Sequence, residues 1–141
     1  MANDIRRKDS YKEILHEVVE HNGVLYLAGL VSENLLLDIT GQTADVLRQL
    51  DAVLQANGSG RDRVLTGLLF IPDMSLKPAL NEVWKKWFAQ AHLPTRACIG
   101  VKDLGPNVLL EAVFTAAVAP AKSKLAKPAA KANKKTKRRG R

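Results

Sequence analysis

Two adjoining stretches decide the fold: TGQTADVLRQLDAVLQANG, residues 40–58, and RVLTGLLFI, residues 63–71. In the first, Val46, Leu47, Leu50, Val53 and Leu54 fall at i, i+1, i+4, i+7 and i+8, which is one face of a helix. Gly58 stands where a helix C-terminal cap belongs. In the second, β-branched, aliphatic and aromatic residues run without polar alternation until Pro72 and Asp73, as in a strand buried on both faces. A helix feeding a buried strand indicates a layered domain that combines a sheet with helices.

Upstream, EILHEVVEHNGVLYLA, residues 13–28, reads as two strands joined at Asn22 and Gly23, because an Asn-Gly pair accepts the positive φ angles of a tight hairpin. Downstream, Ser75 is placed to cap a second helix whose first turn tolerates Pro78. Leu80, Val83, Trp84, Trp87 and Phe88 give that helix its apolar stripe, with Lys85, Lys86 and Gln90 outside. PTRACIGV, residues 94–101, and VLLEAVFTAAV, residues 108–118, supply two more strands around a turn at Gly105 and Pro106. The order is strand, strand, helix, strand, helix, strand, strand. It predicts an α+β domain with a mixed sheet and both helices on one face. Two helices cover only one face, yet the strands are apolar at odd and even positions. The second face is therefore expected to be buried between copies of the chain.

The charge is unevenly distributed. Residues 1–118 hold 12 Lys+Arg and all 14 Asp+Glu, whereas residues 119–141 hold 10 Lys+Arg and no acid. The net charge of +8 thus belongs to a nearly neutral body carrying a polycation. This divides the chain into an N-terminal extension, 1–12, a domain, 13–118, and a Lys/Arg/Ala/Pro-rich tail, 119–141, too polar to repay the entropy of folding. Within the tail, residues 122–141 are expected to bind nucleic acid without sequence preference, through counterion release. Cys98 is the single cysteine, no apolar run approaches the length of a membrane span, and MANDIRRKDS lacks the apolar core of a secretory signal. A cytoplasmic setting without membrane contact is the expectation.

Arg96 and Glu111 each stand as an isolated charge in an apolar strand, and an ionised group there needs a partner or solvent. Spacing alone leaves a structural ion pair and a ligand site equally open. His16, His21 and His92 have no metal-ligand spacing with each other or with Cys98, so no metal is expected. Trp84 and Trp87 fit a core stripe rather than a base-stacking platform. Asp38, Asp45 and Asp51 read as solvated or helix-start charges.

The runs GQTADVLRQLDAVLQANG, FIPDM, NEVWKKWF, PTRACIGVKDL and VLLEA together resemble the YjgF/RidA family of reactive-intermediate deaminases, over roughly residues 16–118. The resemblance implies a chorismate-mutase-like fold, a homotrimer and one site in each cleft between subunits. It also implies hydrolysis of 2-imino acids or their enamines to 2-keto acids and ammonia, without a cofactor. Arg96 matches the family arginine that holds the substrate carboxylate, and a planar guanidinium suits that task with two parallel N–H donors. Glu111 matches the glutamate that activates the attacking water, facing Arg96 across the crevice. Cys98 matches the position whose backbone carbonyl helps place that water, and Asn81 matches a supporting asparagine. The family's Ser-Gly-Gln element is replaced by Ala28, Gly29 and Leu30, and its first-strand tyrosine or serine by Leu15 or His16. Two further readings stay open: a noncatalytic carboxylate-binding member, and an RNA-associated protein of the ribonuclease or translation-inhibitor kind that uses the basic tail.

Overall fold

A computed structural model describes residues 4–121. Six strands form one sheet: β1 (Arg6–Tyr11), β2 (Leu15–His21), β3 (Val24–Leu27), β4 (Val64–Ile71), β5 (Thr95–Gly100) and β6 (Glu111–Ala117). Helix α1 (Ile39–Ala56) precedes β4, and α2 (Lys77–Trp87) links β4 to β5. The order across the sheet is β1-β2-β3-β6-β4-β5, with β4 and β5 parallel and every other pair antiparallel. Two connections must return the chain to the same end of the sheet: α1 carries it from β3 to β4, which run in the same direction on either side of β6, and α2 carries it from β4 to its parallel neighbour β5.

Local chemistry explains the boundaries. Asn22 and Gly23 both take positive φ, +50° and +80°, as the hairpin turn between β2 and β3 requires. Helix α1 starts where the Asp38 carboxylate accepts the Gly41 N–H at 2.9 Å, and it stops before Gly58, whose φ is +74°. The second helix departs from expectation. Ser75 does not cap it; Asp73 accepts the Ser75 N–H at 2.9 Å and caps the short 3₁₀ turn Met74–Leu76 that leads into α2. A carboxylate is the stronger acceptor there. Pro78 lies in the first turn, as expected.

Both helices cover one face. Val18, Leu25, Leu69, Ile71, Ala112 and Phe114 point from the sheet into a core completed by Val46, Leu47, Leu50 and Leu54 of α1 and Leu80 and Trp84 of α2. Gln42 is the buried polar tie. Its Nε2 donates to the Leu37 and Asn107 carbonyls at 3.0 and 2.9 Å, and its Oε1 accepts the Leu109 N–H at 3.0 Å. That triple contact delivers the chain to the start of β6, where Glu111 stands.

The N-terminal extension needs correction: Arg6–Tyr11 belongs to the sheet, paired with β2 from Arg6↔Glu20 to Tyr11↔Leu15. RRKDSY lacks an apolar alternation because β1 is an edge strand held by its backbone ladder, and charged side chains on an edge discourage further pairing. Arg6 and Lys8 flank Glu20 at 3.8 and 3.7 Å, and Lys8 donates to the Asn57 side chain at 2.8 Å. At the other end, most of the tail, residues 122–141, lies outside the described residues. Among the described residues, no helix is long and apolar enough to cross a membrane.

Candidate functional site

Arg96 enters the sheet just after Pro94, and its place in the ladder is beside Gly67 of β4. Gly67 also neighbours Phe114, a core residue, so Arg96 leaves the sheet on the helix-covered side. There α2 passes overhead, with Asn81 and Trp84 one turn apart on the same helical face. The Arg96 guanidinium carbon lies 5.0 Å from the centroid of the Trp84 ring. Together with Pro78, Leu93 and Pro94 these residues line a cleft of about 540 Å3, whose rim carries the Glu82–Lys85 ion pair at 2.9 Å. Among the described residues no carboxylate lies within 4.0 Å of Arg96, and Asn81 buries its side-chain oxygen without a hydrogen-bond partner. A cation without a counterion beside an unsatisfied amide is an arrangement that an anionic, hydrogen-bonding ligand would complete.

Cys98 packs its side chain toward the core beside Leu69. Its backbone is the more available part. β5 is the sheet edge, and Val101 donates its N–H to Ile71 of β4 at 3.0 Å. Alternation along the strand therefore aims the backbone groups of Arg96 and Cys98 away from the sheet.

Glu111 begins β6 on the other face. It pairs with Phe70, three positions from Gly67 along an uninterrupted ladder, and an odd separation reverses the face. Within one protomer Arg96 and Glu111 therefore do not face each other. The juxtaposition expected across a crevice shared by two copies is not made within the single chain, where pleating sends the two side chains to opposite sides of the sheet. What Glu111 does meet is the replaced element. Leu30 and Ala112 exchange backbone hydrogen bonds at 2.8 and 3.0 Å, which draws Ala28–Leu30 alongside β6. A Cβ on Gly29 would collide with the Glu111 carboxylate, so this glycine makes room for the acid. The candidate residues thus fall in two separate places, Asn81 and Arg96 with the Cys98 backbone at one, and Gly29 and Glu111 at the other.

The loop that follows Gly29 is held by Asp45, which the sequence marks only as a solvated charge. Its carboxylate accepts the Glu33 N–H at 2.8 Å, the Ser32 hydroxyl at 3.2 Å and the Gln49 amide at 3.0 Å, and it pairs with Arg48 at 2.7 Å. The Glu33 N–H is the foremost of these influences, and together they lower the Asp45 pKa to about 2. Its spacing from Arg48 and Gln49, i+3 and i+4, was a signal available in the sequence. Among the described residues, no group of three or more His, Cys, Asp or Glu side chains is placed to hold a metal ion.

A mixed sheet with two helices on one face, and polar groups gathered at its edge and at one strand start, defines a chorismate-mutase-like α+β domain. The chain belongs to the YjgF/RidA family: the family described as Endoribonuclease L-PSP matches residues 8–118. It is similar to the RutC family protein YoaB of Escherichia coli, with 37% identity over 102 residues, 72% of this chain and 89% of YoaB. The structure superimposes on NMB1025 of Neisseria meningitidis, a member of the YjgF protein family, with a TM-score of 0.81 and 34% identity, covering 86% of this chain and 100% of NMB1025. YyfA of Yersinia pestis, of the Rid protein family, aligns with a TM-score of 0.71 and 26% identity over 79% of this chain and 94% of its own.

Proposed function

We propose that the protein hydrolyses small 2-imino acids and their enamine tautomers to 2-keto acids and ammonia, at sites that two copies of the chain complete in a homotrimer. The observation that carries this reading is the cleft in which, among the described residues, Arg96 has no carboxylate within 4.0 Å and the buried side-chain oxygen of Asn81 has no hydrogen-bond partner. Arg96 holds the substrate carboxylate through two parallel N–H donors. The split between the two halves requires Glu111 to come from a neighbouring copy. The open sheet face, where Tyr26 is 48% exposed and Leu68 and Ile99 are each 41% exposed, supplies the apolar surface for such packing.

In the reaction, water adds to the protonated imine carbon while Glu111 takes its proton, giving a carbinolamine. Glu111 returns the proton to the carbinolamine nitrogen, the C–N bond breaks with its electron pair leaving on ammonia, and the hydroxyl proton passes to that ammonia, giving ammonium, while the carbonyl of the 2-keto acid forms. The electrophile is already activated by protonation, so the chain's own tasks are to orient the carboxylate and move one proton. A second reading, a carboxylate-binding protein without turnover, draws on the fact that Glu111 does not line the cleft where Asn81 and Arg96 converge and that Glu82 at its rim is paired with Lys85.

Mixed oligomers separate these readings. Arg96→Ala and Glu111→Gln copies are each expected to be inactive alone, and random mixing in a ring should restore about one quarter of the sites. No recovery from the mixture, with an active wild type, overturns the shared site. A wild type that binds 2-ketobutyrate through Arg96 but releases no ammonia from freshly generated 2-aminoacrylate establishes the binding reading. The same protein lacking residues 122–141 should lose RNA affinity and keep 2-keto acid binding, which separates the tail from the cleft.

A further inference from the structure

We infer that Trp84, seated in the gap left by Gly67, is the positioning residue that orients the Arg96 guanidinium. The inference takes Arg96 as the carboxylate anchor proposed above, but its own observations concern only packing. An arginine at the edge of a sheet has a long side chain with several rotamers, and each rotamer would point the charge elsewhere. Here the guanidinium carbon stands 5.0 Å from the centroid of the Trp84 ring, within reach of a cation–π contact.

Trp84 is itself fixed. It is only 6% exposed, the Phe114 ring lies nearly parallel to it with centroids 6.2 Å apart, and the Phe88 ring leans on it at 4.6 Å. Gly67 explains why the indole can reach this far. A Cβ there would stand 3.2 Å from Cη2 of Trp84 and 3.2 Å from Cε1 of Phe114, so the indole edge occupies the space that a side chain would take. Gly67 has no left-handed backbone to accommodate; what it supplies is volume. It is also the residue beside Arg96 in the β4–β5 ladder. Glycine, indole and guanidinium are therefore stacked at one place in the sheet.

The stack has a chemical consequence. With its guanidinium carbon held over the indole, Arg96 keeps N–H groups that can donate to an incoming carboxylate. Asn81, one helical turn before Trp84, borders the same cleft. Trp84 thus acts through Arg96 and need not touch the ligand.

The test follows the Arg96 Nε–H signal of the full-length protein by NMR, assigned from its disappearance in Arg96→Lys, together with 2-ketobutyrate affinity. In Trp84→Leu the Arg96 signal should lose its restricted motion and resemble exposed arginines, and affinity should fall about tenfold. Trp84→Phe should keep most of both, since an aromatic face remains. Gly67→Ala, which displaces the indole without removing it, should shift the Arg96 signal and weaken binding less. Unchanged Arg96 motion in Trp84→Leu overturns the inference, and if that variant does not fold, an unchanged Arg96 signal in Gly67→Ala does so. A wild type with no affinity for 2-ketobutyrate removes the anchor role of Arg96. Loosening of Arg96 in the variants would in that case still uphold the positioning by Trp84.

Discussion

On the helix-covered face of the sheet, Val18, Leu25, Leu69, Ile71 and Phe114 are each no more than 1% exposed, whereas Tyr26, Leu68 and Ile99 on the other face keep 41% or more. The covered face carries Arg96 at its margin, over the ring of an aromatic that the core immobilises. The open face carries Glu111, fitted against the bare backbone of Gly29. The contrast shows how a small domain can present two charges of opposite sign without letting them neutralise each other. One sheet, by its pleat, keeps a cation and an acid on separate sides, which is why the function proposed above draws them from two copies of the chain. A charge left without an internal partner is free to meet a ligand.

The two faces should respond differently to substitution. Phe114→Ala on the covered face removes the ring that backs Trp84 and leaves a cavity, with an expected loss of about 3–5 kcal/mol by urea unfolding. A loss below about 1 kcal/mol would show that the covered face is not the structural one. Asp45→Asn, in α1 where the carboxylate holds the loop that follows Gly29, should cost about 1–2 kcal/mol at neutral pH by loosening the Glu33 and Arg48 contacts. Folding depresses the pKa of Asp45, so its contribution is complete above the ordinary value of 3.8 and disappears as the pH falls through about 2. The stability gap between wild type and Asp45→Asn should close over the same range, and a constant gap would assign the effect to packing. Leu68→Asp, on the open face, should change the stability of an isolated copy by only about 0.5 kcal/mol. Its expected effect is on assembly: sedimentation should show single copies and ammonia release should be lost. An unaltered oligomer would mean that the open face is not where copies meet.

The elements were legible where periodicity or turn chemistry is strong. The Val46–Leu54 stripe marks α1, and the apolar run from Val64 to Ile71 marks β4. The Asn22-Gly23 pair marks the hairpin, since few residues other than Asn and Gly accept positive φ in succession. Strand β1 was not legible, because an edge held by backbone hydrogen bonds needs no apolar pattern. The Asp45 cluster is legible only in its helical half, the Arg48 and Gln49 spacing: its main donor, the Glu33 N–H, is a backbone group twelve residues away that any residue type would offer. Asn81 and Arg96 carry their meaning in the sequence through a family resemblance, and the structure brings them to one cleft. The apolar stripe of α2 marks Trp84 as core, which it is, but its contact with Arg96 depends on how α2 packs over the sheet.

By itself the sequence determined the mixed sheet, the two amphipathic helices, the family and the separation of a near-neutral body from a basic tail. All of these follow from local pattern, composition or residue identity, and none requires distances between remote positions. Only the tertiary structure decided that Arg96 and Glu111 occupy opposite faces, that Gly29 clears space for one and Gly67 makes room for the indole beneath the other. Those facts depend on strand register, and a shift of one residue in pairing would send every side chain of a strand to the other side of the sheet.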